Sequence, residues 1–144
     1  MATTTKDANK RLARRVPEKI ATDGNIEAVI EVYAADAVEH APDGDYEGHA
    51  EIAESIEDVL AGFPDMEATV EDIVAEGDTV AMRLTLRGTH EGEFMGIEPT
   101  GRSVEIENMV FTRIEDGKIT ERWLRPDMFG LMSQLGVVDV PLDS

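Results

Sequence analysis

The chain has no cysteine, only 5% aromatic residues, and few cations: 13 Lys and Arg against 31 Asp and Glu. Without thiols there is no disulfide, no thiolate nucleophile and no sulfur-ligated zinc, which fits an intracellular chain. A net charge of −18 at pH 7 argues against a nucleic-acid partner, because a phosphate backbone would be repelled rather than neutralised. No unbroken apolar run reaches the roughly 20 residues that span a membrane as a helix. The paired Arg14 and Arg15 are followed by Pro17, Glu18 and Lys19, where an export signal would carry its apolar stretch. The expectation is a cytoplasmic protein that keeps its N-terminus.

What is present is enough chain for one core. At 144 residues the length matches a single domain, expected over 1–144 with 1–5 and 137–144 as loose ends. The acids are spread along the whole chain while the lysines are only Lys6, Lys10, Lys19 and Lys118, so the excess charge reads as a solvated surface suited to high salt. At molar ionic strength the Debye length falls to about 3 Å and self-repulsion is screened.

Periodicity divides the chain in two. Leu12, Val16 and Ile20 recur at helical spacing, with Pro17 leaving the boundary of that helix open. After the Asp23-Gly24-Asn25 turn, Ile26, Val29, Ile30 and Tyr33 form a second stripe. Beyond a loop expected at residues 41–48, Ile52, Ile56, Val59, Leu60 and Phe63 form a third. Past Pro64 the period changes to 2. Strands are expected near 67–75, 80–90, 104–114 and 118–125, with turns at Glu76-Gly77-Asp78 and Glu115-Asp116-Gly117, and a short helix follows from Phe129 to Gly136. Helices before an antiparallel meander predict an α+β fold with N-terminal helices packed on one sheet face. Met109 and Phe111 alternate with Ile106, Val110 and Ile114, so both faces are apolar and a homodimer through the sheet is expected.

Residues 89–136 carry a series of linked segments. The His90 loop contains Gly92, Phe94, Gly96, Pro99, Thr100, Gly101 and Arg102; Asp116-Gly117-Lys118-Ile119, Trp123, Asp127 and Gln134-Leu135-Gly136 follow. This half resembles the SnoaL-like polyketide and ester cyclases, within the fold group of nuclear transport factor 2 and ketosteroid isomerase. The helical half is similar through Gly24, Tyr33 and Val38-Glu39-His40. The resemblance implies a cone-shaped α+β barrel with helices on a curved antiparallel sheet. It also implies an intramolecular aldol closure without metal or cofactor: a proton leaves the carbon beside one carbonyl, and that carbon attacks a second carbonyl. It gives the acid–base role to Asp127 and matches His40 to a histidine near the cavity.

The residues themselves leave alternatives open. Trp123, Met128 and Phe129 could desolvate Asp127 and raise its pKa, or Asp127 could simply cap the helix starting at Met128. Arg125 shares a strand side with Trp123 and Asp127; it either orients the carboxylate or, in contact, holds it ionised. An Asp with an Arg is also similar to the epoxide hydrolases of this fold, but their second aspartate has no counterpart here. His90 ends an interior strand face and could steady an enolate or sit satisfied in the core. Asn108 is the polar residue on the face of Ile106 and Val110, an oxyanion donor or a buried structural amide. His40 lines the ligand site or faces solvent, and Phe94 belongs to the expected ligand-binding set with Trp123.

Other chemistries lack their motifs. His40, His49 and His90 show no paired ligand spacing, Ser55, Ser103 and Ser133 no nucleophile elbow, and the glycines from Gly88 to Gly101 open no phosphate-binding helix. No metal or cofactor is expected. The functional expectation is a cyclase or isomerase acting on a small, largely apolar carbonyl compound; the alternative is a non-catalytic dimeric protein that binds a small molecule in the same cavity.

Overall fold

The computed structural model describes residues 5–138. Helix α1 (Thr5–Arg15) runs directly into a π-helical segment, Val16–Thr22, that contains Pro17. Proline has no N–H and its ring crowds the carbonyl one turn back, so the chain widens here instead of stopping. Leu12, Val16 and Ile20 stay on the inward side, and Ile20 is fully buried.

Helix α2 is short (Ala28–Val32) and ends where Tyr33 turns extended, at φ −98° and ψ 145°. The helix expected through Tyr33 and the loop expected at 41–48 are therefore corrected. Tyr33–Ala41 forms strand β1 and Gly44–Glu47 forms β2. The intervening Pro42-Asp43 turn is tight because Gly44 takes φ +140°, a conformation closed to side chains. Helix α3 (Gly48–Gly62) follows, then the meander β3 (Glu67–Glu76), β4 (Thr79–Thr89), β5 (Ser103–Glu115) and β6 (Lys118–Pro126), and finally α4 (Met128–Gln134).

These strands make one six-stranded sheet in the order β2-β1-β6-β5-β4-β3. Every pairing is antiparallel except β1 with β6, which is parallel. The expected antiparallel sheet is thus a mixed one, curved and open, with β2 and β3 as its edges. Hydrophobic alternation specifies which face of a strand is buried and leaves its neighbour unspecified. The N-terminal helices cover one face, as expected.

On that inner face Val80, Met82 and Leu84 of β4 and Val110 and Ile114 of β5 meet Ile20, Val29, Val32 and Ile52. Each such aliphatic side chain contributes about 1.5–3 kcal/mol on burial. The opposite face leaves Met109 49% and Phe111 54% exposed. Of the expected loose ends, residues 1–4 and 139–144 lie outside the described residues, while Thr5 already belongs to α1. Among the described residues no helix is long and apolar enough to cross a membrane.

Candidate active site

Between the inner sheet face, α3 and the π-helical segment lies a cavity of about 640 Å³. Its walls are largely apolar, with Ile20, Val59, Leu60, Leu84, Leu86 and Leu124 among them. Phe94, from the loop after β4, also lines it and packs edge-on against Phe63 at 5.2 Å. The exposed carboxylates Asp43, Asp58 and Glu93 mark its opening. Nearby, the Tyr46 hydroxyl donates to Asp43 at 2.6 Å, and that bond holds the phenol protonated up to about 12.

The polar groups inside are Glu39, Asn108 and Arg122, one each from β1, β5 and β6. Glu39 and Arg122 are register partners across the parallel β1–β6 pairing. Arg122 Nη1 donates to Glu39 Oε1 at 2.9 Å and to the Tyr33 hydroxyl at 3.3 Å. The Tyr33 hydroxyl in turn donates to the same Oε1 at 2.6 Å. All three residues are buried, with Glu39 and Arg122 at 2% and 5% exposure. Burial pushes the Tyr33 phenol well above its ordinary value; Arg122 opposes this and Glu39 adds to it. A charge so enclosed is tolerable only because its counter-charge and hydrogen bonds are in place. Arg122 Nε remains buried with no partner among the described residues.

Asn108 lines the cavity, and its Oδ1 accepts the Arg125 backbone N–H at 3.2 Å. Of the other residues singled out from the sequence, Phe94 also lies on the cavity wall, whereas His90, His40, Trp123, Arg125 and Asp127 do not line it.

His90 is fully buried beneath Phe63, rings stacked at 5.3 Å. Its Nδ1 accepts the Thr100 backbone N–H at 3.1 Å, and its backbone pairs with Arg102 and Gly101 at 2.9 Å. These bonds tie down the loop after β4, while the His90 Nε2 is buried with no partner among the described residues. His40 lies on β1 rather than in a loop, and on the outer sheet face. Its Nε2 sits 2.6 Å from Glu121 and its Nδ1 2.8 Å from Asp45, while its ring stacks on Trp123 at 5.5 Å. The hydrogen bond with Glu121, then that with Asp45, raises its pKa.

Trp123, Arg125 and Asp127 share a strand side, as the alternation predicts, and it is the outer one, since Arg122 and Leu124 face the cavity. Asp127 is exposed and its Oδ1 accepts the Gly130 backbone N–H at 2.8 Å, the N-cap bond of α4. The desolvation expected from Trp123, Met128 and Phe129 is corrected: Trp123 lies on the outer face and Phe129 is 54% exposed. The cause is register, because Asp127 N still bonds Glu107 O at 3.0 Å and β6 keeps its alternation through Pro126. Arg125 bonds the Leu124 carbonyl at 2.7 Å and makes no ion pair with Asp127 among the described residues.

Sequence reasoning missed the Glu39, Arg122 and Tyr33 group. A signal was available for Arg122, which must point the same way as Leu124. None was available for its partner, 83 positions away in the chain.

Helices closing one face of a curved, open sheet over an apolar cavity with a few inward polar groups define a small-molecule site of the α+β cone type. Within that class the chain belongs to the SnoaL-like polyketide cyclase family, whose profile matches residues 11–135. It is 34% identical over 118 residues to the aklanonic acid methyl ester cyclase DauD of Streptomyces sp. strain C5, covering 80% of this chain and 71% of that one. It is 40% identical over 72 residues to the aklanonic acid methyl ester cyclase AcmA of Streptomyces galilaeus. That match spans 49% of this chain and only about half, 50%, of the cyclase. The solved structure of AclR from Streptomyces galilaeus, provisionally assigned as a hydroxylase, superposes with a TM-score of 0.81 at 33% identity, covering 93% of this chain and 85% of AclR.

Proposed function

We propose that the protein is a cofactor-independent cyclase that closes a ring in a neutral, largely apolar carbonyl compound by an intramolecular aldol reaction. A proton leaves the carbon next to one carbonyl, the resulting enolate carbon bonds to a second carbonyl carbon, and the new alkoxide takes the proton back. The observation that carries this reading is the cavity: apolar walls sized for a multi-ring molecule, with a carboxylate, a guanidinium and an amide converging inside. Its lining carboxylates, Glu39, Asp43, Asp58 and Glu93, face a single cation, Arg122. That balance favours an ester or ketone over a free acid, and the relatives named above act on methyl esters.

The resemblance gives the acid–base role to Asp127. Its neighbours Pro126 and Met128 line a smaller hollow of about 80 Å³ beside the main cavity, while Asp127 itself faces the outer side. Acting on a cavity-bound substrate from there requires its carboxylate to leave Gly130 and turn inward. The direct test is turnover of polyketone methyl esters, followed by mass spectrometry, with binding measured in parallel. Ring closure by wild type supports the cyclase reading; tight binding with no closure of any such ester favours a non-catalytic binding protein. Asp127→Asn retains turnover if the residue only caps α4 and abolishes it if the inward turn occurs.

A further inference from the structure

The Glu39–Arg122 pair is more than a buried ion pair that holds β1 to β6. Its hydrogen bonds are one-sided. Among the described residues, both donors to Glu39, the Tyr33 hydroxyl and Arg122 Nη1, fall on Oε1, which leaves Oε2 uncommitted. On Arg122, among the described residues, Nη1 alone finds acceptors and Nε is buried with none. Both side chains line the cavity. Each partner thus commits one edge to the other and keeps one edge in reserve, although an unused buried donor is costly.

We infer that Glu39 and Arg122 act together as the proton-transfer unit of this cavity, Glu39 Oε2 taking the proton beside a carbonyl and the free edge of Arg122 holding the oxygen on which the charge collects. The inference rests on the cyclase reading and assigns its machinery. Electrostatics makes the arrangement self-consistent. The guanidinium that pairs with the carboxylate also stabilises the product of the transfer. When the proton moves from carbon to Oε2, the negative charge passes from Glu39 to the enolate oxygen and stays next to Arg122, so the enclosed site is neutral before and after. Tyr33 is the positioning residue: its phenol keeps its proton, and Oε1 accepts from it whether Glu39 is charged or neutral. After the new carbon–carbon bond forms, the proton on Oε2 returns to the alkoxide, and no co-reactant is consumed.

The pairing also narrows the substrate. The free edge of Arg122 is planar and two-pronged, so it suits an enolate that presents two oxygens side by side. The class that fits is a 1,3-dicarbonyl, a β-keto ester or β-diketone, whose enolate spreads its charge over two oxygens that a guanidinium edge can meet together.

The test is deuterium exchange at the carbon between the carbonyls of an aryl β-keto ester, followed by NMR against the rate in buffer, with binding measured separately by calorimetry. Wild type should accelerate exchange. Glu39→Gln should lose that acceleration by about 10²–10⁴-fold and Arg122→Lys by about 10²-fold, with the probe still bound, while Arg83→Gln, on the outer sheet face, exchanges as wild type. Should Glu39→Gln fail to fold, Glu39→Asp serves instead: it keeps the charge and withdraws the base by one methylene, so exchange falls while the melting temperature holds. Exchange at the wild-type rate in the Glu39 variant overturns the assignment and leaves the cyclase reading intact. A wild-type protein that binds the probe without exchanging it sinks both.

Discussion

Glu39 and Arg122 meet at 2.9 Å as register partners on parallel strands, 83 positions apart in the chain. Their contact joins the N-terminal β1–β2 hairpin to the last strand of the meander and sets two opposite charges inside an apolar cavity.

Removing one of them strands the other. Arg122→Met should cost about 3–5 kcal/mol in urea unfolding, whereas the double change Glu39→Leu with Arg122→Met should recover most of that loss, because no isolated charge remains. Equal losses in the single and double variants would show that the pair's charges are unimportant to stability.

Phe94 reaches the cavity because its loop lies against the end of α3, where Gly62 O accepts the N–H groups of Glu91 and Gly92 at 3.0 and 3.1 Å. A Cβ on Gly92 would overlap the backbone carbonyl of Ala61, which cannot move as a side chain could. Gly92→Ala is expected to cost about 1–3 kcal/mol and to weaken ligand binding together with stability. A thermal melt and a binding isotherm on the same sample check both.

His40 makes stability fall as pH rises. Its folded pKa is raised, first by Glu121 and then by Asp45. Its contribution is therefore complete below the unfolded value of about 6.5 and is lost as pH climbs through the higher folded value. His40→Gln should flatten this part of the stability profile, and an NMR titration of the ring should give a midpoint above 6.5. A midpoint at or below that value would refute the prediction.

The outer sheet face exposes Met109 and Phe111 at 49% and 54% beside Trp123. A homodimer packing sheet against sheet is the expected assembly. Sedimentation of wild type should give the dimer mass, and Phe111→Glu should give a monomer with its helical signal intact. A monomeric wild type would remove the expectation.

The net charge of −18 predicts a melting temperature that rises from dilute buffer to molar potassium chloride, as screening relieves self-repulsion. An unchanged melting temperature would argue that the acids are compensated locally, for instance by the Arg83 contacts to Asp72 and Glu107.

Elements with a clean period were legible. The alternation from Val80 to His90 and from Val104 to Ile114 matches β4 and β5 almost to the residue, and the side shared by Trp123, Arg125 and Asp127 follows from the same parity. The β1–β2 hairpin was not legible. Pro42, Asp43 and Gly44 did signal a turn, but the inward residues of β1 include Glu39, and an acid in a short segment reads as solvent-facing. Asn108 and Phe94 line the cavity. Asp127 follows β6 and caps α4, the alternative that its place before Met128 had left open, on the opposite side of the sheet from the cavity.

The sequence by itself determined the order of the meander strands, the interior face of β4 and the cyclase family, because all three depend on local spacing and residue type. Only the tertiary structure decided that β1 lies parallel to β6, and with it which carboxylate faces the cavity. A parallel pairing between distant segments leaves no mark in either one alone, and Glu39 becomes an interior residue only when Arg122 and Tyr33 are there to offset its charge.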